Sequence, residues 1–209
     1  ILSITSFAGP FSPTDVEGIS ARAFVIGASV RGEIPLEVIE KIRKKNALIS
    51  VDVQGFMRVN RDGKLVYDNW PEKEHVLMYV DVLKADAVES EMLTGEKDIK
   101  IAARKLSELG PDEVLITHQN GVLLYANNNY YEAKFYPKKL VGRSGRGDTC
   151  IAAYMARRLT TPPPQAIVWA AAITSLKMEN EGPFQKSLSE VEELLKNKHY
   201  PTDRLKEET

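Results

Sequence analysis

The stretch Leu140-Val-Gly-Arg-Ser-Gly-Arg-Gly-Asp-Thr-Cys-Ile-Ala-Ala-Tyr154 carries the strongest signal for fold and chemistry in this chain. Gly145 and Gly147 bracket Arg146 and stand directly before Asp148, where a helix-forming run of small and apolar residues begins. Glycine lets backbone N–H groups face a ligand without a Cβ in the way. A helix that starts there adds unpaired N–H donors and the positive end of its dipole. The pattern therefore predicts an anion site suited to phosphate.

Asp148 has two interpretations on sequence alone. A carboxylate beside a phosphate site is electrostatically unfavourable unless it serves the chemistry, and a base that takes the proton from a hydroxyl attacking ATP fits this position. Alternatively, Asp148 caps the helix, since aspartate is a common N-cap residue. The Gly-x-Gly-Asp spacing is short and does not separate the two.

Residues Gly142-Arg-Ser-Gly-Arg-Gly-Asp-Thr149 resemble the Asp-Thr-x-Gly-Ala-Gly-Asp-Thr signature of the ribokinase-like (PfkB) sugar and nucleoside kinases. The resemblance implies that Asp148 is the catalytic base and that the amides around Gly145, Arg146 and Gly147 form the anion hole. Gly142 stands where the family usually has Asp, and Arg146 where it has Ala. Arg146 is then either an extra phosphate ligand or a cation turned to solvent, and we expect the second.

A second match is Lys84-Ala-Asp-Ala-Val-Glu-Ser-Glu-Met-Leu-Thr-Gly95, which looks like the family's Asn-x-x-Glu element followed by Leu-Thr-Gly. The resemblance implies that Glu89 orders Mg²⁺ and its waters, with Asp86 in place of the Asn. Carboxylate and water oxygens are the ligands that magnesium prefers. The alternative is an ordinary acidic helix start.

A third match, Val114-Leu-Ile-Thr-His-Gln-Asn-Gly-Val-Leu-Leu-Tyr125, is similar to the family's strand that ends in Thr-x-Gly beside the nucleotide. It implies that Thr117, Gln119 and Gly121 lie at the nucleotide. Gln119 occupies the usual glycine position, so a side chain there would reshape the nucleotide pocket.

A fourth match, Asp52-Val-Gln-Gly-Phe-Met-Arg58, looks most like archaeal members of the family, including those assigned as myo-inositol kinases. It implies that Asp52 and Arg58 lie near the donor phosphates. The alternatives are a turn carboxylate at Asp52 and a solvated loop cation at Arg58.

Short apolar runs alternate with helical patterns along the chain, which is typical of an α/β fold with a mostly parallel sheet and crossover helices. Strands are predicted at 1–5, 23–26, 47–52, 82–84 and 114–117, a hairpin at 122–135, and helices at 35–45, 98–109, 149–159, 163–178 and 188–196. The resemblance implies the ribokinase-like three-layer αβα arrangement with helices on both faces. Asp52, Asp86 and Thr117 follow strand ends and Asp148 opens a helix, so we expect them on one rim of the sheet.

The resemblance covers residues 1 to 185, and we interpret 1–196 as one kinase core that lacks its N-terminal part, with 197–209 as a polar tail. The chain begins at Ile1 without a Met, in what reads as a strand. The segment absent from the sequence would include most of the β-sheet lid, through which the resemblance implies a homodimer.

Composition is ordinary for a globular enzyme, with 43% hydrophobic and 27% charged residues. A net charge of −1 gives no electrostatic case for nucleic acid or an anionic membrane. The single Cys150 rules out an intramolecular disulfide framework and fits a reducing compartment. Neither a signal peptide nor an apolar run of the roughly 18 residues needed for a bilayer is visible. A cytoplasmic protein is predicted.

The leading hypothesis is ATP- and Mg²⁺-dependent transfer of a phosphoryl group to a hydroxyl of a sugar, polyol (myo-inositol-like) or nucleoside. A non-catalytic nucleotide-binding or regulatory protein that retains the kinase fold is the alternative. This alternative remains because three motif positions depart from the family pattern, namely Gly142, Arg146 and Gln119.

Overall fold

The computed structural model describes residues 2–142 and 144–198. The strands, in chain order, are β1 (Ala23–Ile26), β2 (Leu48–Asp52), β3 (Arg58–Arg61), β4 (Lys64–Tyr67), β5 (Val82–Asp86), β6 (Glu113–His118), β7 (Gly121–Ala126) and β8 (Asn129–Lys134). The helices are α1 (Leu36–Arg43), α2 (Gln54–Met57), α3 (Lys73–Leu77), α4 (Ala87–Thr94), α5 (Ile99–Ser107), α6 (Arg146–Arg158), α7 (Pro163–Lys177) and α8 (Leu188–Asn197).

The main sheet has the strand order β1-β2-β5-β6-β7-β8. The first four strands are parallel, and β6, β7 and β8 form an antiparallel meander at one edge. The predicted mostly parallel sheet and the predicted hairpin are therefore confirmed. Strands β3 and β4 form a separate two-stranded hairpin, which the sequence analysis did not predict.

Helices cover both faces of the sheet and complete the three layers. One core contains alternate strand residues such as Leu83 and Ala85 with the buried sides of α1 and α5, and the other contains Val82 and Leu115 with α6, α7 and α8. This division follows from the strand period of two, which sends successive side chains to opposite faces. Lys84 shares its face with Val82 and so points toward the α6 layer.

Two terminal predictions need correction or fall outside the described residues. The predicted strand at 1–5 is reduced to an isolated bridge between Ser3 and Lys64, and residue 1 is not described. The predicted tail begins at Asn197, which is still the last residue of α8, and residues 199–209 are outside the described part. Among the residues that are described, no helix combines the length and apolarity needed to cross a bilayer.

Candidate active site

The predicted rim residues meet where the parallel strands end. Asp52 closes β2, Asp86 closes β5, and Thr117 lies near the end of β6. Together with Asp148 of α6, they line one cavity of about 430 Å³. Carboxyl ends of parallel strands lie at one edge of a sheet, which is where α/β proteins bind ligands.

The glycines before Asp148 build the expected anion-binding turn. Gly145 is the N-cap of α6 and adopts φ 72°, a left-handed conformation that favours glycine. The first amides of α6 have no acceptor within the helix and are free to bind an anion. Gly147 is constrained in a second way, because a Cβ there would lie 2.6 Å from the Lys84 Nζ. The backbone can approach that buried ammonium only without a side chain.

Asp148 is not the cap of its helix. The N-cap is Gly145, and Asp148 is the third residue of α6, with an exposed side chain that accepts no hydrogen bond from any described residue. Its carboxylate lines the 430 Å³ cavity beside the anion-binding turn. The capping alternative is therefore wrong, and the geometry leaves the carboxylate available to accept a proton.

A buried charge cluster lies beneath the turn. The Lys84 Nζ is 2.8 Å from Asp52 Oδ2 and 3.9 Å from Glu89 Oε2, and all three side chains are at most 5% exposed. Burial lowers the pKa of Lys84, but Asp52 and Glu89 raise it by more, so its net pKa is above the usual value and it stays an ammonium ion. A fixed positive charge therefore lies below Gly147.

Asp86 and Glu89 form the capping box of α4. The Glu89 amide donates to Asp86 Oδ1 at 2.8 Å, and the Asp86 amide donates to Glu89 Oε2 at 2.7 Å. Glu89 is 1% exposed, its other oxygen accepts from Tyr67 at 3.1 Å, and burial raises its pKa. The helix-start interpretation is thus correct for both residues.

Only Asp86 of this pair lines the open site, where it faces two cavities. Asp86 Oδ2 accepts no hydrogen bond within the described part of the chain, so one carboxylate oxygen fits magnesium with water or phosphate completing the shell. Glu89 lines neither cavity, so its part in a magnesium site would be to orient Asp86 through the hydrogen bonds of the capping box. Among the described residues, no group of three or more His, Cys, Asp or Glu side chains is placed to hold a metal.

We expect Asp86→Asn to raise the Mg²⁺ concentration for half-maximal rate by about 10-fold, and Glu89→Gln to raise it less, since outer residues typically tune metal affinity by about 10–100-fold. The measurement is initial rate against Mg²⁺ concentration for both variants. Asp98→Asn, at the N-cap of α5, is the matched control. If the Mg²⁺ dependence is unchanged in both variants, Asp86 and Glu89 serve only to cap α4.

Arg146 lies between two cavities. It lines the 430 Å³ cavity and a second one of about 750 Å³, which also contains Gln119 and His118. Burial lowers the pKa of His118, against a smaller opposing effect of the Glu132 carboxylate, and the Arg146 guanidinium adds a still smaller lowering. Arg146 is half-buried and lines two cavities that are open to solvent, so the expectation that its side chain turns to solvent stays a prediction. Its guanidinium forms no hydrogen bond or ion pair with any described residue and is available to an anion.

The remaining predicted residues divide between the cavities. Thr117 lines both, Gln119 lines the larger, and Arg58 lines the smaller, where it donates to the Tyr67 hydroxyl at 3.3 Å. Gly121 lines neither. The β7–β8 hairpin requires a glycine at position 121, because a Cβ there would lie 2.4 Å from the Ala133 carbonyl oxygen.

Two lysines belong to the site that were not predicted from the sequence. Lys84 lies inside β5 between the apolar residues Leu83 and Ala85, and Lys177 is the basic residue at the end of the mostly apolar helix α7. Each was visible as a cation in an apolar run, which is costly unless the charge is paired. Their partners come from distant segments, so the sequence did not indicate their place in the site.

The profile described as pfkB family carbohydrate kinase matches residues 19–188. A pyrophosphate-dependent kinase in the ribokinase family, complexed with a pyrophosphate analog and myo-inositol, is 38% identical, with a TM-score of 0.85 over 91% of this chain and 69% of that one. A pyrophosphate-dependent myo-inositol-1 kinase converted into a myo-inositol-3 kinase is 37% identical, with a TM-score of 0.86 over 93% and 70%.

A ribokinase from Arabidopsis thaliana, complexed with ribose and ATP, is 24% identical and has a TM-score of 0.71 over 92% of this chain and 62% of that one. At that identity the likeness concerns the fold alone. The search of curated proteins gives no match.

Proposed function

The chain belongs to the pfkB family of carbohydrate kinases, phosphotransferases with hydroxyl acceptors, and we propose that it transfers a phosphoryl group from pyrophosphate to a hydroxyl of a cyclic polyol of the myo-inositol type. The observation that carries the proposal is the Asp148 carboxylate, which accepts no hydrogen bond from the described residues and lies in one cavity with the anion-binding turn at Gly145. Support for the donor and acceptor comes from the solved kinases at 37–38% identity, which are described as pyrophosphate-dependent and as acting on myo-inositol.

In this mechanism Asp148 accepts the proton of the acceptor hydroxyl as its oxygen attacks the terminal phosphorus. The bond from phosphorus to the bridging oxygen breaks, and orthophosphate leaves with that electron pair. The first amides of α6 face the charge that develops on the transferring group, the kind of electrostatic contribution that is often the largest in catalysis. Magnesium, held at Asp86, would neutralise charge on the donor phosphates.

Arg146 favours a short inorganic donor. Arg146 lines both the cavity that contains Asp148 and the larger cavity, and we place the leaving phosphate beside it. Arginine binds phosphate through two parallel N–H donors. Gln119 lines the same larger cavity at the position where the family pattern has glycine, so its side chain takes space that the pattern leaves open to a base and ribose.

ATP is the second candidate donor. The larger cavity of about 750 Å³ lies within the usual range for small-molecule and cofactor sites, roughly 300–1,000 Å³. The test is a matrix of pyrophosphate and ATP against myo-inositol, ribose and nucleosides, followed by ³¹P NMR for the phosphate ester. We expect ester and orthophosphate with pyrophosphate and myo-inositol. Ester with ATP alone would reverse the donor, and binding without turnover for every pair would favour the regulatory alternative.

Arg146→Ala is expected to raise the KM for pyrophosphate by about 10-fold or more, because a hydrogen bond to a charged group contributes about 1.5–3 kcal/mol. Alanine is the residue of the family pattern at this position, so the fold should tolerate it. Arg157→Ala, farther along α6 and stacked on Trp169, is the control and should leave the KM unchanged. A KM for Arg146→Ala within about threefold of the wild-type value, under about 0.7 kcal/mol, would show that the guanidinium does not bind the donor.

We also expect a cytoplasmic protein that acts on small molecules and forms homodimers. The near-neutral charge supports the absence of nucleic-acid binding. Fractionation and light scattering of the full-length gene product would test location and oligomeric state.

A further inference from the structure

Lys177 is a buried cation that no carboxylate of the described residues approaches within ion-pair distance, although Asp148 Oδ2 and the Lys177 Cε lie 3.7 and 3.8 Å from the same Cβ position on Gly145. Lys177 is 2% exposed at the end of α7 and forms no ion pair with any residue in the described ranges. An isolated ammonium is costly to bury unless its N–H groups are satisfied. The surroundings of Lys177 must therefore supply other acceptors.

Those acceptors are backbone carbonyls of the loop that leads to the anion-binding turn. The Lys177 ammonium donates to the Ser144 oxygen and, at 3.4 Å, to the Gly142 oxygen. Ser144 immediately precedes Gly145, the N-cap of α6. The C-terminal end of α7 also favours a positive charge through its dipole. One ammonium thus joins the end of α7 to the start of α6.

The packing around Gly142 explains why this loop is held by a lysine from α7. A Cβ at Gly142 would lie 2.4 Å from the Asn180 oxygen, so the aspartate of the family pattern does not fit there without a backbone shift. The Val141 and Gly142 amides donate to the Met178 oxygen at 2.9 and 3.1 Å. Since no side chain at position 142 can brace the loop, the bracing comes from Lys177.

We propose that Lys177 is the positioning residue of the anion-binding turn, whose ammonium holds the Gly142 and Ser144 carbonyls so that Gly145 and the first amides of α6 face the phosphate. The proposal deepens the proposed function and rests on it. The Lys177 Cε lies 3.8 Å from the position that a Cβ on Gly145 would occupy. A shift of the Lys177 side chain would therefore move the backbone of the turn. Misplacement of reacting groups by about 1 Å can cost about 10²-fold in rate.

The test compares Lys177→Met, which ends at the Cε position and so removes only the ammonium group, with Lys186→Met at a lysine paired with Glu190. We expect Lys177→Met to lower kcat by about 10²-fold and Lys186→Met to leave it unchanged. Ammonium chloride should restore at least about 10-fold of the lost rate, because methionine leaves the Nζ position empty and the free ion supplies N–H donors to the same carbonyls. Tetramethylammonium, which has no N–H group, should restore nothing.

A separate readout keeps this inference distinct from the proposed reaction. Calorimetric binding of pyrophosphate should weaken in Lys177→Met and recover with ammonium even if no acceptor is turned over. Wild-type binding without turnover would contradict the proposed function while leaving the role of Lys177 intact. Lys177 would lose this role if the folded variant kept both its rate and its pyrophosphate affinity, or if ammonium acted no better than tetramethylammonium.

If Lys177→Met does not fold, Lys177→Gln replaces it, because the neutral amide still donates to one carbonyl. A smaller loss of rate than for Lys177→Met is expected, again with recovery by ammonium. Failure of both variants to fold in the presence of ammonium would overturn the proposal, since the lysine would then serve the fold rather than the turn.

Discussion

Asp148→Asn is expected to abolish turnover, with a fall in rate of about 10²–10⁴-fold, the usual contribution of a general base. The amide matches the carboxylate in size but cannot accept the acceptor's proton. The carboxylate accepts no hydrogen bond from any described residue and Gly145 is the N-cap, so neither folding nor donor affinity should change much. Steady-state rates together with calorimetric binding of pyrophosphate measure both parts of the expectation.

Asp62→Asn is the matched control for this variant. Asp62 is exposed at the turn between β3 and β4 and adopts φ 52°, a conformation that asparagine also tolerates. The control should keep the wild-type rate. An Asp148→Asn enzyme that retained more than about a tenth of the activity would remove Asp148 as the base.

The rim of the site could be predicted from sequence because its signals are local. Each of Asp52, Asp86 and Thr117 follows or closes an apolar strand, and parallel strands bring such positions to one edge. The turn at Gly145 was equally local, since two glycines and a helix start suffice to indicate it. The family match over residues 19–188 confirmed the recognition that rested on these motifs.

The orientation of side chains at that rim could not be predicted, because it depends on distant segments. Arg146 lines both cavities, Glu89 lines neither of them, and a Cβ at position 142 would meet the Asn180 carbonyl oxygen. These arrangements depend on residues far away in the sequence, so a short motif does not indicate them. The β3–β4 hairpin is different, since Asp62-Gly63 was a recognisable hairpin turn with both residues at positive φ.

Lys84→Met is expected to lower the free energy of unfolding by about 3–5 kcal/mol, the usual result of removing one partner from a buried ion pair. Asp52 would remain 3% exposed with no cation beside it. Urea denaturation followed by circular dichroism measures the loss. Lys41→Met removes the exposed pair with Glu17 and should cost no more than about 1 kcal/mol. If Lys84→Met lowers the free energy of unfolding by no more than Lys41→Met does, the buried ion pair between Lys84 and Asp52 does not stabilise the fold.

The double variant Lys84→Met with Asp52→Asn separates stability from chemistry. The asparagine oxygen can still accept the Gln54 amide, which now donates to Asp52 Oδ1 at 3.1 Å, so removing both charges should recover much of the lost stability. Turnover should not return, because the ammonium below Gly147 would be missing from the cavity that receives the phosphoryl group. Recovery of both stability and rate would instead make the lysine and aspartate a purely structural pair, and the anion-binding turn would then act through its amides alone.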